Sequence, residues 1–437
     1  MNKVLWTPTP ERVEASTMAA FERFLRDKRG LTFADYNEMW DWSVTDLDGF
    51  WSAIWEFFNV EASAPFTTVM AKRQMPGAEW CPGAMLNFTD QIMKHVDRQP
   101  DGDALIVQSE TFGRKRLTWA QLRGQVSSVA AHLRDMGVAK GDRVVAVLPN
   151  TETAMIAFLA TASIGAIWSL CAPDMGHVAI LDRFKQIEPK VLIAQDGYVH
   201  AGKTVDRREI LAGLEAELPS LVQCITVPFV GELPKGHVAW DTLLDREVAY
   251  ESVQVPFDHP LWIVYSSGTT GNPKPIVHGH GGIILESAKQ SLHHDFKPGG
   301  RYCWLTSSGW IMWNSQFTAL GQGTTVAMFD GAPNYPDMGV IWRFVADEKL
   351  DFFGAGAAFF SGCMKAGVTP REQVDLSALK SLGSTGSPLS SDAYDWIYKD
   401  VKKDVWLAPI SGGTDLAGAF VLGHPGMPVR AGEMQCR

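Results

Sequence analysis

The stretch YSSGTTGNPKPIVHGHGG, Tyr265–Gly282, decides how the chain is read. It overlaps the end of an apolar run, PLWIVY (260–265), which has no turn residue after its opening proline, the pattern of a buried strand. Small hydroxyl and glycine residues follow from Ser266 to Gly271, and then a lone lysine, Lys274. A strand that opens into such a loop suits an anion. Gly268 and Gly271 have no Cβ to hold a ligand away from the backbone N–H groups, the hydroxyls add donors, and Lys274 adds charge. The loop is not a Walker A motif, because Pro273 precedes Lys274 and Pro275 follows it where GK[ST] would be required.

The segments on the N-terminal side of the loop alternate in period. DALIVQS (103–109) reads as a strand. LTWAQLRGQVSSVAAHLRDMG (117–137) reads as an amphipathic helix with Leu122, Val126, Val129, Leu133 and Met136 at helical spacing and Gly137 as its stop. KGDRVVAVLPN gives a turn and a buried strand, Thr151 opens the next helix, and KVLIA gives another strand before the loop DGYVHAGK. On the C-terminal side, RYCWLTSS, TTVAMFD, DFFGAG and SLGSTGSPLS repeat the alternation, and VRAGEMQCR at the end reads as a strand. Short apolar strands alternating with helices imply an α/β fold with mixed or parallel sheets flanked by helices. No internal repeat is legible.

The apolar run Ala154–Ala172 is long enough to suggest a membrane span, but Gly165 interrupts it and Pro173 and Asp174 close it. A buried helix running into a buried strand accounts for it, so no membrane insertion is expected. The N-terminal hundred residues are rich in tryptophan. Thr45 or Asp46 caps a helix there whose Phe50, Trp51, Ile54, Trp55 and Phe58 share a face that packs on the main body.

A chain of 437 residues exceeds one ordinary core. The division expected is a helical N-terminal cap over 1–100, a first α/β subdomain over 101–255 and a second over 256–437 that carries the phosphate loop. The formal net charge of −10 argues against a nucleic-acid surface. Six scattered cysteines with no CxxC pair or metal-ligand spacing, and an N-terminus with no apolar h-region, point to reduced thiols in a cytoplasmic protein. His278 and His280 are two apart, off any metal signature, and His293 and His294 fall in a loop-like region without an assigned role.

Taken together, SSGTTGNPKPIVHGHGG, TSSGWIMWN (306–314), GSTGSPLS (383–390) and ISGGTD (410–415) resemble the signatures of the adenylate-forming acyl-CoA synthetase superfamily, in this order and over nearly the whole chain. LDRFKQIEPKVLIAQDGY (181–198) and FDGAPNYPD (329–337) are similar to the acetyl-CoA and acetoacetyl-CoA synthetase branch. GWIMWN, STGSPL and ISGGTDLAG look most like its acetoacetate-activating members. The resemblance implies the large N-terminal domain of that fold and a ligase that uses ATP, Mg²⁺ and coenzyme A. It would form an acyl-adenylate and pyrophosphate, and then a thioester and AMP. Another short- or medium-chain acyl-CoA synthetase, or a noncatalytic nucleotide-binding fragment, stays open. Members of the superfamily continue into a C-terminal domain with a lysine used in adenylation. The resemblance implies that this part is missing after Arg437, and the expectation is that the 437-residue chain alone binds nucleotide weakly at best.

The same resemblance assigns site residues. Ser266, Ser267, Gly268, Thr269, Thr270, Gly271 and Lys274 match the loop around the β- and γ-phosphates. Gly386, Ser387 and Pro388, with Ile410, Ser411, Gly412 and Gly413, match the adenine side, and Ser387 stands where acetate-specific members carry a glutamate. Thr414 matches the threonine that binds the α-phosphate, and Asp415 stands where a Mg²⁺-binding glutamate is common. By residue type alone, Thr414 and Asp415 also suit a helix N-cap. His200, Lys203 and Asn334 match contacts to the nucleotide end of coenzyme A. Trp310, Ile311, Met312, Thr385 and Gly412 match the acyl pocket, where a tryptophan in place of Gly412 limits acetate-specific members to one methyl. Gly412 therefore implies an open pocket floor, and the β-keto oxygen of acetoacetate, if buried, requires a donor. Asn314 or the indole N–H of Trp310 or Trp313 are the candidates.

Overall fold

The strand that leads into the phosphate loop, Pro260–Ser266, lies one place from the edge of a seven-stranded sheet, and the edge strand is Lys274–Gly279, antiparallel to it. The computed structural model describes residues 3–266 and 271–437. The other strands of this sheet run parallel in the spatial order Val238–Ala239, Gln223–Val227, Val191–Gln195, Arg143–Val147 and Ile167–Cys171. A second seven-stranded sheet repeats the pattern. Trp406–Pro409, Ser381–Thr385, Phe352–Gly356, Arg301–Trp304, Thr325–Asp330 and Asp103–Ser109 are parallel, and Gly113–Thr118 closes the edge antiparallel to Asp103–Ser109.

The pairing crosses the linear division at 255. The hairpin 103–118 belongs to the sheet made otherwise of residues beyond 300, and the hairpin 260–279 belongs to the sheet built from 143–239. Sequence period sets the type of each strand and leaves its partner open, so a boundary drawn along the chain separates strands that hydrogen-bond. The two sheets also share one spatial arrangement, five parallel strands and then a hairpin at the edge, although the hairpin comes last along the chain in the first sheet and first in the second.

Parallel strands need helices on both faces, and those helices supply the core. In Trp119–Asp135 a capping box at Thr118 and Gln121 starts the helix, and Leu122, Val126, Val129 and Leu133 are fully buried. Every residue of Glu152–Ser163 is buried, and the strand Ile167–Cys171 follows, as expected for 154–172. Phe158 of that helix packs on Trp168 and Trp262 of the first sheet and on Phe317 of the helix Ile311–Leu320, tying the sheets into one continuous core. Among the described residues no helix is long and apolar enough to cross a membrane. All six cysteines are buried and unpaired.

The helix Leu47–Phe57 has Asp46 as its N-cap, accepting from the Gly49 N–H at 2.9 Å. Ile54 is fully buried, and Phe50, Trp51, Trp55 and Phe58 pack against the core, with Trp51 on Trp80 and Trp55 on Phe66. His293 and His294 are not in a loop. They form the last turn of the helix His280–His294, both buried, and Asp295 ends that helix in a left-handed conformation. DGYVHAGK is a hairpin, Gly197–His200 against Lys203–Asp206. In the terminal segment only Val429–Arg430 is a strand, paired with Val4–Trp6.

Candidate active site

The C-terminal ends of the parallel strands Ser381–Thr385 and Trp406–Pro409 open into a cleft of about 360 Å³, the place where open α/β sheets bind ligands. Trp310, Ile311, Met312, Thr385, Gly386, Ser387, Pro388 and the run Ile410–Thr414 all line it. Two local features bring these segments together. Gly386 has a φ of +87°, which turns the chain sharply out of its strand and sets it 3.5 Å from the Trp310 ring, measured from where a Cβ would stand. The Thr385 hydroxyl donates to the Ile410 carbonyl at 2.9 Å and fixes the spacing of the two strand ends.

A smaller cavity of about 100 Å³ adjoins the cleft and shares Trp310, Ile311 and Thr414 with it. Its walls include Tyr265, from the strand entering the phosphate loop, together with Arg183 and Asn314. Arg183 stacks over the Tyr265 ring at 5.6 Å and makes no ion pair among the described residues, so a half-buried cation faces this space. The loop itself is only partly in view: Ser267, Gly268, Thr269 and Thr270 lie outside the described residues. Ser266 stands opposite Lys274 across the hairpin. Lys274 is exposed and without an ion pair among the described residues, and Gly271 has a φ of +127°, open to glycine alone.

Thr414 and Asp415 cap no helix. They sit in the turn of a hairpin, Ser411–Gly413 against Gly418–Val421, closed by the Ala417 N–H on the Thr414 carbonyl at 3.3 Å. His278 braces this turn against the phosphate hairpin. Its Nδ1 accepts from the Trp262 indole at 2.9 Å, which leaves the proton on Nε2 to donate to the Asp415 carbonyl at 2.9 Å. Burial holds its pKa below the usual histidine value, in keeping with that neutral tautomer. His280 is buried and its Nδ1 accepts from the Phe88 N–H at 3.1 Å. Both histidines are structural.

Gly412 does not leave the pocket floor open. A Cβ there would stand 2.0 Å from the Gly418 carbonyl oxygen and 2.8 Å from the Ala419 Cα, so the hairpin's other strand already fills that space. The glycine is required by close backbone approach and not by a left-handed φ. Gln290, Ala419 and Met434 also line the cleft, and none of the three carries a sequence signal. Trp313 is fully buried against Phe158 and Phe317 and lines neither cavity, which removes it as a donor for a keto oxygen. Trp310 and Asn314 remain.

His200, Lys203 and Asn334 do not line the cleft but form a group of their own. His200 pairs with Lys203 across the turn Ala201–Gly202, and a Cβ on Gly202 would meet the Tyr335 hydroxyl at 2.5 Å, so the 331–336 segment lies against this turn. Glu110 holds the two together: its carboxylate accepts from the N–H groups of Ala201 at 3.2 Å, Gly202 at 2.9 Å and Ala332 at 2.6 Å. No pattern in the sequence marks Glu110.

A family model described as AMP-binding enzyme matches residues 92–428, and one described as acetyl-coenzyme A synthetase N-terminus matches residues 36–92. The chain is 40% identical to acetoacetyl-coenzyme A synthetase of Rhizobium meliloti (strain 1021), covering 99% of this chain and 67% of that protein. It is 35% identical to acetoacetyl-CoA synthetase of Gallus gallus, covering 100% and 67%. The solved structure of acetoacetyl-CoA synthetase from Streptomyces lividans superposes with a TM-score of 0.96 at 43% identity, over 99% of this chain and 68% of that one. The chain thus spans about two thirds of the length of these relatives. Its α/β sheets are those of the adenylate-forming synthetase N-terminal domain, and the chain belongs to the AMP-binding enzyme family, in the acyl-CoA synthetase branch where the acetoacetyl-CoA synthetases lie.

Proposed function

We propose that the chain carries the acyl-activating site of an ATP-dependent acid–thiol ligase that converts acetoacetate to acetoacetyl-CoA. The observation that carries this reading is the convergence of residues 310–312, 385–388 and 410–414 on one cleft. The names of the relatives supply the acid. A carboxylate oxygen of acetoacetate attacks the α-phosphorus of ATP, and the bond to pyrophosphate breaks. The sulfur of coenzyme A then attacks the acyl carbon, AMP leaves with the bonding pair, and the thiol proton passes to solvent.

Negative charge shifts onto the α-phosphate and the departing pyrophosphate in the first step, so fixed donors there supply most of the stabilisation. Lys274 and the loop 266–271 meet the β- and γ-phosphates, the Thr414 hydroxyl donates to the α-phosphate, and Gly386–Pro388 with Ile410–Gly413 hold the adenine. The donor set fits Mg²⁺: Asp415 offers an exposed carboxylate with no ion pair among the described residues, beside Thr414 at the cleft. Bound there, Mg²⁺ would neutralise charge on the triphosphate. The Trp310 indole N–H or the Asn314 amide reads the keto oxygen. The latter is buried, lines the adjoining cavity and has no hydrogen-bond partner among the described residues. His200, Lys203 and Asn334 take the nucleotide end of coenzyme A. Six unpaired buried cysteines suit a reducing, cytoplasmic setting.

Calorimetric binding of two stable adenylate mimics, acetoacetyl- and acetyl-sulfamoyl adenosine, tests the choice of acid on the chain itself. The acetoacetyl compound is expected to bind at least about tenfold more tightly, since a filled pocket is worth roughly 1–3 kcal/mol per methylene. Equal affinity, or preference for acetyl, would assign the cleft to a smaller acid.

A further inference from the structure

The chain's free edge on the first sheet, far along the strand order from the phosphate hairpin, gathers three ligand-type side chains that the sequence scatters. Cys224 lies on the strand Gln223–Val227, His237 directly precedes the edge strand Val238–Ala239, and Glu215 is on the helix Arg208–Glu217. The strand pairing sets Ile225 opposite Val238, which carries His237 to the neighbourhood of Cys224. Cys224 and Thr226 are two apart and share a sheet face. Leu211 and Leu214 of the helix, and Leu218 just after it, are packed in one buried cluster with Cys224. Glu215 is therefore brought to the same spot from above.

We propose that Cys224, His237 and Glu215 form a zinc-binding site, with water completing the shell. One ligand atom from each lies within 4.8 Å of the other two, and His237 Nε2 stands 3.0 Å from Glu215 Oε2. Zinc bonds of about 2.0–2.3 Å in a tetrahedron place ligand atoms roughly 3.3–3.8 Å apart, so small side-chain rotations complete the site. Thiolate, imidazole and carboxylate together select Zn²⁺ over Mg²⁺ or Ca²⁺.

The surrounding bonds are those a histidine ligand needs. In the metal-free fold His237 Nε2–H donates to Glu215 Oε2 at 3.0 Å and the Thr226 hydroxyl donates to Nδ1 at 2.7 Å; on metal binding the ring takes the other tautomer, with Nδ1–H donating to Thr226 Oγ1 and Nε2 coordinating. Gln223 donates to the Gly236 carbonyl at 2.9 Å and the His237 N–H donates to the Pro234 carbonyl at 3.1 Å, which fixes the approach of the loop. Cys224 would coordinate as the thiolate, so binding releases its thiol proton to solvent. The metal joins the helix to the sheet edge and stabilises the fold by mass action.

The test is titration of the metal-free 437-residue chain with Co²⁺, followed by absorption. One equivalent should produce a thiolate-to-cobalt charge-transfer band, Zn²⁺ should abolish it, and Zn²⁺ should raise Tm. Cys224→Ser should remove the band, and Thr226→Val, which keeps shape and loses only the acceptor, should weaken Co²⁺ about 10–100-fold. Glu215→Gln alters an exposed position, so it keeps the fold while weakening the metal by at least about tenfold, on the scale of a lost ligand partner. A wild-type chain without the band, a band that survives Cys224→Ser, or an affinity indifferent to Glu215→Gln would overturn the site.

Discussion

Two hairpins close the two sheets in the same way, and they differ in what their polar groups do. At the edge of the first sheet, Ser266 faces Lys274 across the phosphate loop, and the Lys274 ammonium has no ion pair among the described residues. At the edge of the second, Ser109 faces Gly113, and the polar groups are spent inside the protein. The Ser109 hydroxyl donates to Asp330 at 2.7 Å and accepts from the Thr111 N–H at 2.9 Å, while Glu110 takes three backbone N–H groups. One edge arrangement thus yields an open hairpin, whose charge is left unpaired among the described residues, and a saturated one, whose charge organises the turn 201–202 and the segment after Asp330, the loops proposed to meet coenzyme A. Substitutions should separate the two: the open hairpin should show loss of binding without loss of stability, and the saturated hairpin should show both.

The largest effect belongs to a third hairpin, 411–421, which has no spare room at Gly412. Gly412→Trp forces a side chain into the Gly418 backbone, and overpacking of this kind costs up to about 3 kcal/mol or more. Calorimetry should show the acetoacetyl and acetyl mimics weakened together. A loss confined to the acetoacetyl mimic would restore an open floor at this position. Next, Lys274→Ala removes a charge-assisted contact worth roughly 1.5–3 kcal/mol, so MgATP should bind about 10–100-fold more weakly. Its Tm should be that of the parent chain, and a clear fall in Tm would place Lys274 among the structural residues.

Glu110→Ala sharpens the contrast from the other side. It strips an acceptor from three N–H groups, and about 2 kcal/mol of stability should go with it. Affinity for coenzyme A should fall while that for MgATP holds. Equal losses for both ligands would mean that Glu110 supports the whole domain and not the coenzyme A loops.

The smallest effect is a pH-dependent gain at Asp330. Burial, with Glu110 and Glu152 nearby, raises its pKa from 3.8 to about 6 against the pull of the Ser109 hydrogen bond. A carboxyl raised in the fold contributes fully below 3.8 and loses that contribution as pH rises through about 6. Asp330→Asn avoids the loss, so it should be more stable than the parent by about 1–2 kcal/mol above pH 6 and no more stable below 3.8. Thermal melts at the two ends of that range check the sign.

Much of this architecture is legible in the residues, for a physical reason. Buried parallel strands are short apolar runs, so RVVAV, VLIAQ and FFGAG declare themselves, and the run 154–172 resolves into helix and strand once Gly165 is weighed. Partners are not legible, because an apolar strand fits any buried slot; hence 103–118 pairs with strands two hundred residues away. The cleft is legible where its residues form contiguous motifs, 310–312, 385–388 and 410–414. Arg183, Gln290 and Glu110 escape because each acts through tertiary placement, as one residue on a helix or in a turn. Gly412 shows the opposite error. Its identity is conspicuous, but its reason lies in Gly418 across the hairpin and not in the ligand.

The proposed acyl-adenylate site is made of residues 310–312, Asn314, 385–388 and 410–415. A crystal structure of the chain with acetoacetyl-sulfamoyl adenosine tests it most directly. The adenine should lie against Gly386–Pro388 and the acyl chain against Trp310 and Met312, with the keto oxygen hydrogen-bonded to Trp310 Nε1 or Asn314 Nδ2. A ligand seated instead in the cavity of about 420 Å³ at the opposite ends of the strands, lined by Arg12, His294 and Lys380, would contradict it.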